Sequence, residues 1–315
     1  MASDIQNPIF TDENKAREAL EAVRWRDGQF CPHCGCVEGL ARLQGKSTRP
    51  GVFYCNGCKK QFTVTVGTVF ERSKVPLTKW WLAAYLLSSS KKGFSSHQLS
   101  RALGVSYKTA WFVSHRIREA MRVGSFPGPL GGEGKIVEAD ETYIGGKEKN
   151  KHVGKRDRKK IGGTGKEIAF ALVERGGKVR SHHVPEVSAK TLRPILVSQI
   201  HHQTSLMTDD AGQYRHMGEE FERHETVNHG IDEYVRGDAY TNTIEGYFSI
   251  LKRGIMGTYH HVSPQHLKRY LGEFDFRYNE RTALGVDDMS RTVKAMEGIE
   301  GKRLTYRPPH SSRAH

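Results

Sequence analysis

The chain lacks any long apolar run. No stretch reaches the ~18 consecutive apolar residues that a membrane-spanning helix needs. The nearest, Trp80-Trp-Leu-Ala-Ala-Tyr-Leu-Leu87, is too short. Met1-Ala-Ser-Asp-Ile-Gln-Asn7 has neither a basic n-region nor an apolar h-region, so no secretory signal is expected. These absences predict a cytoplasmic protein with no membrane partner, whose free thiols stay reduced. Cysteine is scarce, five in 315 residues, and a disulfide scaffold is not the expectation. Acids are in deficit: 35 Asp and Glu stand against 49 Lys and Arg, a net charge of +14. A surplus this large favours a polyanionic partner, usually nucleic acid, and with it a nucleoid association.

What is present begins with those cysteines. Four of them form Cys31-Pro-His-Cys34 and Cys55-Asn-Gly-Cys58. Each CxxC bends into a knuckle that points two thiolates at one cation. Two knuckles make a closed tetrahedral sulfur site, structural and not catalytic, and zinc is the metal it fits. Phe53 and Tyr54 before the second pair, and Gln61 to Val66 after it, read as strands of a small ribbon. The ribbon is expected over 28–72, after a helical segment in 1–27 with Thr11 as its N-cap. Cys36 is left over.

Residues 73–123 read as helical. Pro76 suits a helix N1 position. Ser95 to Arg118 has the layout of a helix-turn-helix: a short helix carrying Leu99 and Leu103, a turn at Gly104, and a second helix capped by Ser106. Its inner face is Ala110, Val113 and Ile117. Ser106, Tyr107, Lys108 and Thr109 would then meet base edges of double-stranded DNA, and His115, Arg116 and Arg118 would reach phosphates. Gly124 to Gly132, rich in Gly and Pro, marks a domain boundary.

Beyond it the pattern changes to strands. Lys135 to Ile144 reads as a strand carrying Asp140. Glu167–Glu174 and Lys178–Val184 flank Arg175-Gly-Gly177 as a hairpin. Ser188 to Ile200 reads as a helix, Ser205–Asp209 as a strand ending in an acid, and Glu225–His229 as another strand. The order implies an α/β domain with mixed strand pairing. The Gly145–Lys166 segment, with nine Lys/Arg and two acids, reads as a cationic loop able to reach a DNA backbone. Residues 286–315 are expected to be a basic tail with a short helical piece at Met289–Met296.

Thr241 to Arg253 reads as an amphipathic helix. Ile244, Phe248, Leu251 and Ile255 form one apolar stripe. Asn242, Glu245, Ser249 and Lys252 line a neighbouring face, with Glu245 and Lys252 two turns apart. A lone acid within an apolar strand, as at Asp140, is costly unless paired or metal-bound. If Asp140, Asp209 and Glu245 converge, they make an oxygen-only site for Mg²⁺ or Mn²⁺, the set-up for in-line phosphoryl displacement with two metal ions.

Ile136 to Gly146, Leu206 to Tyr214, His229 to Gly254, Thr258 to Ser263 and Phe274 to Arg281 together resemble the DDE transposases of bacterial insertion sequences. The branch is the one with an N-terminal zinc ribbon, similar to the Merlin elements. The resemblance covers about residues 15 to 290. It implies an RNase H-like catalytic core, here over 133–285. It implies that Asp140, Asp209 and Glu245 are the metal ligands and that Lys252 grips a phosphate at the element's end. The expected activity is metal-dependent cleavage at terminal inverted repeats, then strand transfer into target DNA, by a homodimer or higher oligomer. The rival readings are a DNA-binding regulator and a structure-specific nuclease on the same core.

Overall fold

Asp12, one residue later than expected, starts the first helix. Its carboxylate accepts hydrogen bonds from Asn14 N at 2.7 Å and Lys15 N at 3.2 Å, which leaves α1 spanning Glu13–Arg24. The computed structural model describes residues 4–122, 128–146, 152–155, 165–215, 217–227 and 240–304. Most of the cationic Gly145–Lys166 segment, much of the Gly124–Gly132 break, the stretch from 228 to 239 and the end of the tail lie outside the described residues. The chain divides into two compact units, Met1–Val123 with Glu280–His315, and Gly124–Asn279.

In the first unit a three-stranded antiparallel ribbon follows α1: β1 Leu40–Arg42, β2 Phe53–Cys55 and β3 Lys60–Phe62. β3 ends at Phe62, earlier than the alternation Gln61–Val66 predicts. The carbonyls of Val64 and Val66 are taken instead by the Arg24 guanidinium, each at 2.7 Å, so they never enter a ladder. Pro76 is the N-cap of α2, Leu77–Ser89, one position before the expected N1. Two further helices follow, α3 Ser96–Leu103 and α4 Tyr107–Met121. Ser95 and Gln98 close a capping box on α3. Gly104 turns the chain in the left-handed region, φ +59°, and Ser106 accepts from Thr109 N to start α4.

Among the described residues, a fifth α-helix of this unit comes from the far end of the chain. α8, Asp288–Glu297, packs against α1, α2 and α4. Ala295 and Met296 are buried with Trp80, Trp81 and Ile117. Arg291, itself buried, donates to Ser88 O at 3.1 Å near the end of α2. The segment read as a basic tail therefore carries part of this core.

The second unit is built on a five-stranded sheet: β4 Ile136–Ile144, β5 Glu167–Glu174, β6 Val179–Val184, β7 Ser205–Asp209 and β8 Arg223–Val227. Their order is β6-β5-β4-β7-β8. β4, β5 and β6 run antiparallel to their neighbours, while β7 and β8 extend the sheet in parallel from β4. Three helices complete the unit: α5 Ala189–Gln199, α6 Asn242–Gly254 and α7 Pro264–Asn279. Strand alternation splits the core in two. Val137, Ala139, Leu172 and Leu206 face α5 through Leu192 and Leu196. Ala169, Ala171 and Val173 face α6 and α7 through Ile244, Phe248, Leu251, Leu267 and Leu271. The expected apolar stripe of α6 is buried along its length, Ile255 included.

The edge strand β6 is closed by side chains of α7. Asn279 accepts from Val179 N at 2.7 Å and donates to Val179 O at 2.9 Å, pairing with the edge as a backbone would. Two strand residues on, Asp275 accepts from Ser181 N at 2.8 Å and Ser181 Oγ at 2.7 Å. One helical turn separates the two side chains, which matches a two-residue step along the strand.

Candidate active site

The site grows from β4. Asp140 lies on the α6 face of the sheet, the face also used by Glu138 and Ile144. β7 pairs with β4 in the register Val137 with Leu206 and Glu138 with Met207. Carrying that register forward sets Asp209 beside Asp140 on the same face. Asp210 is exposed, and its backbone N–H goes to Val227 O at 3.0 Å. Asp209, and not the adjacent Asp210, therefore shares the strand parity of Asp140. Glu245 stands in the first turn of α6 and is exposed, as are Asn242, Ser249 and Lys252.

The electrostatics link the three acids. The Asp140 carboxyl is pushed up to about 7, first by burial, then by the charge of Glu141, and further by Asp209 and Glu245. Asp209 and Glu245 thus each help to raise the Asp140 carboxyl, and the three groups offer oxygen donors alone. That is the set a hard divalent cation takes, so the residues fit such an ion. Among the described residues, however, the only group of His, Cys, Asp and Glu already drawn to ligand spacing is the cysteine set. The acids face one another at longer range.

Two acids of β4 that the sequence reading passed over brace this arrangement. Glu138 is fully buried and paired with Arg175, Oε1 to Nε at 2.7 Å. Its other oxygen accepts from Ile244 N at 2.8 Å. Glu141, on the opposite face, accepts from Tyr214 OH at 2.6 Å and Gln213 Nε2 at 3.1 Å, tying β4 to the turn that follows Asp209. The signal for Glu138 was present: it sits two residues before Asp140, hence on the same strand face.

In the first unit, the Sγ atoms of Cys31, Cys34, Cys55 and Cys58 all lie within 4.8 Å of one another. Cys31 and Cys58 are 3.7 Å apart, as are Cys34 and Cys55. Four thiolates at ~2.3 Å from a tetrahedral zinc stand ~3.8 Å apart, so the four fit the ion. The Cys55 thiol is drawn down to about 7, chiefly by the backbone N–H of Cys58. Cys36 stays outside the set. Its carbonyl accepts from Cys31 N at 2.8 Å, and its sulfur would lie 3.2 Å from a Cβ at Gly57, a tight but not forbidden approach.

The helix pair α3–α4 corrects part of the expected DNA face. Ser106, Tyr107 and Lys108 are exposed and Thr109 is half-buried. Tyr107 stacks on His97 with ring centroids 4.3 Å apart. His115, Arg116 and Arg118 are buried and cannot reach a phosphate. Arg118 donates to Ser114 Oγ at 3.0 Å, and Arg116 to Glu71 O at 3.2 Å and Leu304 O at 3.3 Å. They hold this unit together from inside.

One unit carries Asp140 and Asp209 on a mixed sheet and the other carries a four-cysteine ribbon, and comparison with known proteins identifies the family. An ISXO2-like transposase domain matches residues 129–279, and a transposase zinc-ribbon domain matches residues 11–61. A protein of the transposable element ISH50 of Halobacterium salinarum (strain ATCC 700922 / JCM 11081 / NRC-1), itself uncharacterized, is 34% identical over 281 residues, 85% of this chain and 91% of that one. The chain belongs to the IS1595 family of DDE transposases with an N-terminal zinc ribbon. Among solved structures, a chain of the simian T-cell lymphotropic virus intasome with PP2A regulatory subunit B56 gamma matches at 14% identity and a TM-score of 0.27. That match covers 56% of this chain and 63% of the other, and so slight a likeness carries no argument. Among the described residues no helix is long and apolar enough to cross a membrane.

Proposed function

We propose that this transposase binds the terminal inverted repeats of its element, cleaves the strand at the element's end and joins the freed 3′-hydroxyl to target DNA. The observation that supports this is the Asp140 carboxyl, buried on β4 and raised in part by Asp209 and Glu245. Asp140, Asp209 and Glu245 would hold Mg²⁺ or Mn²⁺. When bound, such ions polarise the scissile phosphate and activate the attacking oxygen. The protein's own part is placement. β4 and β7 fix two acids side by side, and the buried stripe of α6 fixes the third. Lys252, exposed two turns beyond Glu245, offers an ammonium to a phosphate oxygen of the element's end. A sheet that is antiparallel on one side of β4 and parallel on the other, with helices on both faces, supports an RNase H-like core.

Recognition falls to the first unit, with α3 and α4 as a helix-turn-helix. Ser106, Tyr107, Lys108 and Thr109 at the start of α4 would face base edges, and the surplus of 49 basic over 35 acidic residues supports a DNA partner. Assembly as a dimer or higher oligomer on two ends follows from the need to join both. In an assay with a labelled terminal-repeat duplex and Mg²⁺, Asp140→Asn and Glu245→Gln are expected to lose cleavage and joining by 10³-fold or more (an order-of-magnitude expectation for removing a metal ligand) while still shifting the duplex in a gel. Undiminished strand transfer by either variant would sink the proposal. Lys108→Ala, measured alongside, should weaken binding by about 1–3 kcal/mol and relax discrimination among base substitutions in the repeat.

A further inference from the structure

We infer that Glu138 and Arg175 act as positioning residues for the active site, setting where Glu245 stands relative to Asp140. The inference rests on the reading of Asp140, Asp209 and Glu245 as a divalent-cation site. It concerns a buried pair that touches none of the reacting atoms.

The start of α6 is the first observation. Thr241 is its N-cap, yet the Thr241 side chain makes no capping hydrogen bond. A helix start leaves its first N–H groups without intrahelical partners, and the N-cap side chain ordinarily satisfies the one at N2 or N3. Here the carboxylate of Glu138 takes that role from another element, accepting from Ile244 N, the N3 residue, at 2.8 Å. An anion at this place also meets the positive end of the helix dipole. α6 is therefore capped by the strand that carries Asp140.

Arg175 supplies the second half. A carboxylate with no exposed surface would be costly alone. Arg175 Nε meets Glu138 Oε1 at 2.7 Å, while its Nη2 donates to Tyr240 O at 2.8 Å. The guanidinium lies over the Tyr240 ring, 3.4 Å from its centroid. The backbone N–H of Arg175 also donates to Ile136 O at 3.0 Å. One planar fork thus grips the residue before the N-cap and the capping carboxylate, while the Arg175 backbone is tied to the start of β4. Glu245 follows Ile244 directly. A shift of the α6 start away from β4 would carry Glu245 out of range of a cation shared with Asp140. A lysine has one ammonium and no plane to stack, so it cannot hold all these contacts at once.

The test uses the full-length, zinc-loaded protein and Mn²⁺ as the probe, with binding read by titration calorimetry well below the melting temperature. Asp140→Asn serves as the reference for loss of the site. Arg175→Ala is expected to weaken Mn²⁺ binding ~10- to 100-fold, the usual effect of removing a partner that orients a ligand. Arg175→Lys should fall between Arg175→Ala and wild type. Hydrogen exchange should show the Ile244 amide losing protection in Arg175→Ala. A merely structural role would lower the melting temperature and leave Mn²⁺ affinity unchanged. If Asp140→Asn loses Mn²⁺ binding and folded Arg175→Ala keeps wild-type affinity, the inference is overturned and the metal-site reading stands. If Asp140→Asn binds as wild type, that reading itself fails. Should Arg175→Ala not fold, Glu138→Gln decides: it keeps the shape and gives up the charge, and wild-type affinity there overturns the inference.

Discussion

Asp275 is a buried acid of α7, outside the site. Burial pushes its carboxyl up to about 6, against hydrogen bonds from Tyr247 and Ser181 that favour the charged form. Tyr247 OH donates to it at 2.6 Å. With a folded value above the unfolded 3.8, the folded protein holds a proton that the unfolded chain has lost between about pH 4 and 6. The Asp275 contribution to stability is therefore full below pH 4, declines as pH rises through 6 and is constant above it. Denaturant melts across this window are expected to show a shallower fall with pH in Asp275→Asn than in wild type, by at most ~1.4 kcal/mol per pH unit. Identical slopes would mean that Asp275 ionises freely in the fold.

At the same scale the sequence was legible where chemistry is local. The four zinc thiols follow from CxxC spacing, whereas Asp209 was singled out by the family resemblance of its Thr-Asp pattern. Arg116 and Arg118 were not, because charge alone assigns an arginine to the surface. The pattern held a clue in Ser114, Ile117, Arg118 and Met121, which continue the Ala110–Val113 stripe at helical spacing. Taken at the width a packed helix needs, that stripe already includes Arg118. The position of Glu138 was legible from its strand parity with Asp140, but its role was not. Its cap on α6 joins residues 106 apart in sequence, and no local pattern reports such a contact.

Among the elements, β6 shows how an exposed edge is managed. A free edge offers unpaired N–H and C=O groups to other chains. Here α7 occupies that edge with Asn279 and Asp275, which gives a physical reason for the Phe274–Arg281 pattern. Asn279→Ala leaves Val179 N without its acceptor and is expected to cost about 1–3 kcal/mol in chemical denaturation. The variant should also aggregate more readily on refolding, seen by light scattering. Loss well under that range, with clean refolding, would show that another group covers the edge. The strands and helices around the hairpin at Arg175-Gly-Gly177 were legible from turn residues and alternation. β1 was not, since its three residues, Leu40, Ala41 and Arg42, are too few to show a period.

For the whole molecule, the decisive feature is that α8 belongs with α1, α2 and α4. A chain ending at Gly285 is expected to keep the sheet unit and lose the cooperative melting of the N-terminal unit. Limited proteolysis should then find a resistant fragment near 124–279 and rapid cleavage before it. Equal resistance of both units would show that α8 is dispensable. The Met289–Met296 helix was readable, but its partners were not: a short amphipathic segment at the end of a basic stretch carries no address for the surface it covers.

The placement of α8 also sets an order of events during synthesis. The ribosome must release the sheet unit entirely, and then the residues through Glu297, before the last helix of the N-terminal unit exists. A nascent chain thus acquires its strands and acids while the unit carrying the ribbon is still unfinished. The N-terminal unit, to which the proposed DNA recognition falls, matures last although it is encoded first, so a prematurely terminated product carries that unit incomplete.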